Sequence, residues 1–152
     1  MPEQNDREAL IKLLDSAVDD GLTFFLGQGR DSDAKVGDWG VWEVLCHMIY
    51  WHQATVDGVE SIASGGGPHH IKGETDEVND RIIATMSGRS SHELAEDVRD
   101  LQAKLVAAVR KVDDPTSTVF IRKDGSSAST FDRVDQITRH WNGHIAELRP
   151  AR

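Results

Sequence analysis

Apolar residues recur at intervals of three and four in four long segments of this chain, and this period constrains the fold more than any other feature. The clearest segment follows Ser90, which forms a capping-box pattern with Glu93 three residues later. Similar periods cover roughly residues 10–25, 39–64 and 131–148. Because each such helix must bury one apolar stripe against its neighbours, the pattern predicts an all-α four-helix bundle.

Glycine and proline predict where these helices end. The first helix should fray near Gly27, the run Gly65–Pro68 should end the second, and Pro150 follows the last. The long connection between the second and third strong helices permits a crossover in place of a simple up-and-down order. A weaker helical period predicts a short helix within that connection, at Val78, Ile82, Ile83 and Met86.

Further polar residues are candidates for the helix starts. Asn5 precedes Glu8 by three residues, the polar stretch through Asp38 supplies the cap of the second helix, and Ser129 or Thr130 caps the last. Only one short extended piece, residues 119–121, interrupts the loop before the last helix. No alternating strand pattern of useful length is present, so we expect helices to dominate.

The length and composition limit the class of protein. With 152 residues we expect a single domain, spanning residues 1–152, and the formal charge of −9 argues against nucleic acid or anionic membranes as partners. Cys46 is the only cysteine, so no intramolecular disulfide can form, and no apolar run approaches the ~20 residues needed to span a bilayer. The polar, acidic N-terminus does not resemble a signal peptide. These features predict a soluble cytoplasmic protein.

Histidines supply the strongest chemical hint. His140 and His144 are four residues apart on the last predicted helix, so both imidazoles can point at one ion. His47 and His52 on the second helix are both candidates for a third ligand, and the helical wheel does not choose between them. Three neutral imidazoles would leave a divalent metal its full charge and an open position. A pair at this spacing also arises readily by chance, and partly buried histidines often only satisfy a carbonyl.

The residues around these histidines allow two interpretations. Tyr50, Trp51 and Trp141 are candidates for a substrate pocket, although aromatic residues at helical spacing usually pack the core. Trp39 and Trp42 could likewise either line a substrate pocket or pack the core. Three polar residues could accept a hydrogen bond from the outer nitrogen of a ligand imidazole: Glu43, Gln136 and Glu147.

The histidines after the glycine run and the single cysteine are also potentially reactive, but simpler structural interpretations apply to them. His69 and His70 follow the glycine run and could close over a ligand, but the sequence favours a solvated polar loop. Cys46 points about 100° away from His47 around the helix, which predicts a small buried side chain and not a nucleophile.

Two motifs carry a resemblance to a known group of proteins. The chain resembles the DinB/YfiT-like superfamily of predicted metalloenzymes, which commonly carries a tryptophan eight residues before a histidine on the second helix and a His-x-x-x-His on the last. The matching spacing from Trp39 favours His47 over His52, and Gly40 stands where the superfamily usually has serine or threonine. The two motifs read Trp39-Gly40-Val41-Trp42-Glu43-Val44-Leu45-Cys46-His47-Met48 and His140-Trp141-Asn142-Gly143-His144.

The resemblance implies an up-down-down-up bundle, a divalent ion such as zinc or nickel held by His47, His140 and His144, and a homodimer. The superfamily includes mycothiol-dependent isomerases, bacillithiol transferases and a self-resistance branch similar to ClbS and DfsB. The second helix, with Tyr50 and Trp51 after the histidine, resembles this last branch most.

Together these observations predict a metal-dependent hydrolase or thiol transferase acting on a small molecule, with the metal activating water or a low-molecular-weight thiol. The alternative is a metal-free protein that binds and sequesters a small molecule for self-protection. A third interpretation is a dimerising helical protein whose histidines are structural remnants.

Overall fold

The computed structural model describes residues 2–29, 32–37, 39–70, 75–122 and 124–149, without the side chains of residues 2–5 and 75–78. Helices dominate this part of the chain, joined by short strands. The helices are α1 (Pro2–Leu26), α2 (Val41–Ala63), α3 (Thr75–Thr85), α4 (Ser91–Lys111) and α5 (Thr130–Leu148). The strands are β1 (Lys35–Val36), β2 (Trp39–Gly40), β3 (His69–His70), β4 (Thr118–Ile121) and β5 (Ser127–Ser129).

Polar contacts between helices establish the direction of α1 and α4. Arg110, near the end of α4, forms an ion pair with Glu8, near the start of α1. Further along α1, Asp15 accepts a hydrogen bond of 2.6 Å from Gln102, which comes earlier in α4. Because one helix runs forward as the other runs back, α1 and α4 are antiparallel.

Two other contacts establish the directions of α2 and α5. At the start of α2, Trp42 Nε1 donates to the carbonyl of Arg89, immediately before α4 begins, so α2 and α4 run in parallel. Arg133, near the start of α5, donates to Thr55 in the second half of α2, so α5 is antiparallel to α2. The bundle therefore has the predicted up-down-down-up order, and α3 lies in the crossover between two parallel helices.

Small sheets form in segments that the sequence predicted mainly as loops, and the extended piece predicted at residues 119–121 lies in β4, which confirms it. β3 pairs in parallel with β4, and β4 pairs antiparallel with β5, so His69 and His70 belong to a strand and the prediction of a polar loop was wrong. β1 and β2 form a hairpin ahead of α2. As a result α2 begins at Val41 and not at Trp39, because Trp39 and Gly40 are paired in extended backbone.

The helix caps agree in part with the prediction. The Ser90 hydroxyl accepts from the Glu93 amide at 3.1 Å, which confirms that capping box. Ser129, and not Thr130, caps α5. Gly40 caps α2 without a side-chain hydrogen bond, as its lack of a hydroxyl requires. The candidate caps Asn5 and Asp38 lie outside the described side chains.

One buried tryptophan packs α5 against α1 in the core. Trp141 on α5 is 1% exposed and packs edge-on against Phe25 of α1, with ring centroids 6.2 Å apart. A Cβ atom at Gly21 of α1 would lie 2.5 Å from Trp141 Cε3, so α1 and α5 approach closely at this glycine. Within the described residues no helix is long and apolar enough to cross a membrane.

We expect Gly21→Ala to lower the free energy of unfolding by about 1–3 kcal/mol, because the added methyl overlaps a buried indole that cannot move away. The matched control is Gly143→Ala on α5, where a Cβ would meet nothing within 4 Å. That change should stabilise the helix by about 0.5–1 kcal/mol. Urea denaturation of both variants measures the difference, and equal stabilisation by the two alanines would contradict the close approach.

Candidate metal centre

Three histidines from two helices converge on one point. His47 Nε2 lies 2.9 Å from His140 Nε2, and His144 Nε2 lies 3.0 Å from the same His140 atom. The ligand atoms all lie within 4.8 Å of one another, and no other group of three or more potential ligands occurs in the described part of the chain. The structure therefore brings together the three residues that the motifs selected.

Helix geometry explains this convergence. His140 and His144 are one turn apart on α5, and α5 runs antiparallel to α2, which carries His47. His52 follows His47 by five residues, so it points roughly 140° away around the helix. Its ring is fully buried in the core, where Nε2 lies 2.9 Å from Gln102 Oε1 and Nδ1 accepts from Trp141 Nε1.

The outer nitrogens of two of the cluster imidazoles face oxygen acceptors. His47 Nδ1 lies 2.9 Å from Asn79 Oδ1, and His144 Nδ1 lies 3.1 Å from Glu147 Oε1. The Asn79 amide oxygen places the imidazole proton of His47 on Nδ1, which leaves its Nε2 lone pair aimed at the common point, whereas His144 Nδ1 makes no hydrogen bond despite its closeness to Glu147. Glu147 was predicted for this position, whereas Asn79 was missed because nothing in the sequence connects the crossover helix α3 with α2.

The donor set fits a metal ion. Nitrogens bound to zinc at about 2.1 Å in tetrahedral geometry lie about 3.4 Å apart, and two of the contacts in the cluster, at 2.9 and 3.0 Å, are somewhat shorter. His140 Nε2 carries at most one proton when neutral, so it can donate to only one of its two neighbours. The other contact then lacks a hydrogen bond, and a cation bound at the common point would interact favourably with both nitrogens. The three-histidine cluster could therefore hold a metal ion.

Burial keeps two of these ligands, His47 and His140, neutral. Removal from water lowers the pKa of His47 to about 4, and the nearby His144 lowers it further while the Asn79 hydrogen bond opposes this. Burial likewise lowers the pKa of His140 to about 3, with further contributions from the positive charge of the neighbouring imidazoles. Neutral imidazole is the form that binds metal, so His47 and His140 do not have to lose protons at neutral pH.

Aromatic rings flank one side of the cluster. The Trp39 ring lies 5.0 Å from the His47 ring, and the Trp51 ring lies 6.5 Å from it. Both tryptophans are partly exposed, as are His140 and His144. The surface beside the cluster is therefore apolar but open on one side.

The structure places the other predicted pocket residues elsewhere. Trp141 is buried in the core and offers no surface to a substrate, because its edge is directed at α1. Tyr50 lines a groove of about 420 Å³ that also involves Ile82 and Leu101, on the side of α2 facing α3 and α4. Of the three predicted pocket residues, Trp51 alone has its ring next to a cluster histidine.

The remaining candidates are accounted for by other contacts. Cys46 is fully buried, which confirms the predicted small buried side chain, and burial raises the pKa of its thiol to about 12. Gln136 Oε1 accepts from Arg122 and Arg133 and does not hold a histidine. Glu43 contacts none of the cluster imidazoles and lies in the first turn of α2, as expected for an acidic residue near a helix N-terminus.

The fold and the three-histidine set define a helical domain of the DinB/YfiT-like class. The chain belongs to the mycothiol maleylpyruvate isomerase N-terminal domain family, whose family model matches residues 27–142. The matched segment contains His47 and His140, and His144 follows just beyond its end. Comparison with curated proteins and with solved structures finds no match. The closer likeness to ClbS and DfsB stays a prediction.

The pKa of the core residue His52 is lowered by burial from its ordinary value of 6.5 to about 4. As the pH falls below 6.5, the unfolded chain takes up a proton that folded His52 does not, so the folded state loses stability until about pH 4. We expect the unfolding free energy of the metal-free protein to decline over this range.

His52→Gln should be less stable at pH 7 but should decline less steeply with acid, because the buried titratable group is gone. Urea titrations at several pH values measure both slopes. An unchanged slope in the variant would show that His52 is not held neutral by the core.

Proposed function

We propose that this protein is a metal-dependent enzyme that activates a low-molecular-weight thiol for transfer to, or isomerisation of, a small electrophilic molecule. The observation that carries the proposal is the convergence of the three Nε2 atoms beside an open surface. A divalent ion such as zinc or nickel would be held by His47, His140 and His144, and when bound it would lower the pKa of a thiol ligand towards neutrality.

The protein's own residues prepare this site. Asn79 fixes the ring orientation of His47, so that ligand nitrogen does not have to reorient when an ion arrives, and Glu147 lies near the outer nitrogen of His144. Because all three ligands are neutral, the charge of the ion is not offset by the protein. The half-buried rings of Trp39 and Trp51 restrict water on the side of His47. A thiol would approach from the partly exposed side of His140 and His144.

Thiol chemistry is preferred over hydrolysis because the family is named for a mycothiol-dependent isomerase. Within the described residues the site lacks a cysteine that could act as the nucleophile, since Cys46 is buried away from the cluster. An external thiol would supply that nucleophile. The homodimer implied by the superfamily stays a prediction.

The metal site is tested by elemental analysis of untagged protein after reconstitution with zinc or nickel. We expect one ion per chain, and stabilisation of about 2.7 kcal/mol when the free metal is a hundredfold above the dissociation constant. His144→Ala should abolish both effects with little loss of helix content. His92→Ala is the matched control, because His92 is exposed on α4 and faces only Glu96. Stoichiometry near zero in the wild type would overturn the proposal.

The thiol is tested with cobalt-substituted protein, in which a bound thiolate produces a charge-transfer band in the near ultraviolet. We expect this band on addition of mycothiol or cysteine, and none with S-methylcysteine, which cannot form a thiolate. A cobalt-loaded protein without any thiol-dependent band would contradict thiol activation while leaving a hydrolase. Retained small-molecule binding after replacement of all three histidines by alanine would instead support the metal-free alternative.

A further inference from the structure

A buried arginine lies on the same helix as the metal cluster. Arg133 of α5 is 7% exposed, and its side chain contacts only neutral groups. Its Nη1 donates to Gln136 Oε1 at 2.9 Å, its Nη2 donates to Thr55 Oγ1 at 2.8 Å, and its guanidinium lies over the Phe120 ring, 4.4 Å from the centroid. These contacts orient the guanidinium without neutralising its charge.

Arg133 has no carboxylate partner among the described residues, although the chain carries a formal charge of −9. Its Nε is buried and has no acceptor. Burial, together with the positive charge of Arg122, lowers the pKa of this guanidinium to about 10. A buried charge without a counter-charge is costly, and proteins normally pair such groups.

A second arginine lies beside Arg133. Arg122 follows β4, and its Nη2 donates at 2.9 Å to Gln136 Oε1, the same oxygen that accepts from Arg133. Its other side-chain hydrogen bonds go to the Ser126 hydroxyl and to the carbonyl of the following serine. That hydroxyl also donates to the Asp124 carboxylate, and this hydrogen bond, together with the charge of Arg122, contributes to lowering the pKa of Asp124. Both guanidinium groups thus donate to one amide oxygen. Arg122 is partly exposed, so the pair borders solvent on that side.

The pair lies close to the metal cluster. Gln136 precedes His140 by four residues, so the two are neighbours on one face of α5, separated by one turn of about 5.4 Å. Arg133 is near enough that its charge lowers the pKa of His140. A small molecule anchored at the arginines could therefore extend its other end to the three histidines.

We propose that Arg122 and Arg133, joined through Gln136, form a subsite that binds a carboxylate group of the substrate. The subsite rests on the proposed function only in its role for catalysis, since anion binding there needs no metal. A carboxylate suits the free Nε better than a phosphate does, because its two coplanar oxygens match one edge of a guanidinium. A singly charged anion is also cheaper to remove from water than a dianion.

The test follows the arginine Nε–H signals by NMR while acetate is added to metal-free and zinc-loaded protein at constant ionic strength. We expect a saturable downfield shift of the Arg133 signal in both forms. In Arg122→Gln the dissociation constant for acetate should rise about tenfold, which corresponds to the loss of one charge-assisted hydrogen bond. Arg122 is the residue of choice because replacement of the buried Arg133 can unfold the protein.

Arg139→Gln is the matched control, because it removes the same charge from the same helix at an exposed residue paired with Asp135. This variant should bind acetate like the wild type. Equal weakening in both variants would show a general effect of charge and overturn the subsite. No shift of the Arg133 signal at about 100 mM acetate would overturn it as well. A stronger response to inorganic phosphate than to acetate would overturn the choice of a carboxylate.

The two proposals fail separately in this experiment. Acetate binding to a protein that takes up no zinc would sustain the subsite and refute the metalloenzyme. Zinc binding with no acetate response at Arg133 would refute the subsite and leave the metal centre intact.

Discussion

The close packing of Trp141 between α1 and α2 is the contact on which the arrangement of the site depends. Its ring occupies the space that Gly21 leaves open on α1, and its Nε1 donates to His52 Nδ1 on α2. His52 faces Gln102 on α4, which in turn donates to Asp15 on α1. One chain of hydrogen bonds thus connects all four bundle helices, and because Trp141 adjoins His140, it also sets the rotation of α5 that aims the histidines.

The three-histidine cluster and the arginine pair differ in the charge that they carry. The metal cluster is assembled from neutral imidazoles, so burial and mutual repulsion act in the same direction and keep the ligands ready for a cation. The arginine pair retains positive charge in a protein that is acidic overall. Both regions lie along one face of α5, so that helix would support both the proposed ion and the proposed anion.

Much of the site could be predicted from the sequence because its elements are local. His140 and His144 needed only the helical repeat, and Glu147 lies one turn from His144. The selection of His47 over His52 needed the spacing from Trp39, since a wheel shows only relative directions and not which face meets α5. Asn79 and the meeting of Arg122 with Arg133 could not be predicted, because each depends on segments distant in the chain that meet only after the bundle closes.

By itself the sequence determined the helices, most of their ends, and the crossover between α2 and α4, since periodicity, caps and glycine runs act over a few residues. Only the tertiary structure decided that Trp141 belongs to the core and that β3 pairs with β4. It also decided that Gln136 serves two arginines. The reason is physical: an apolar stripe or a polar side chain is compatible with several neighbours, and only the packing of all the helices at once selects one of them.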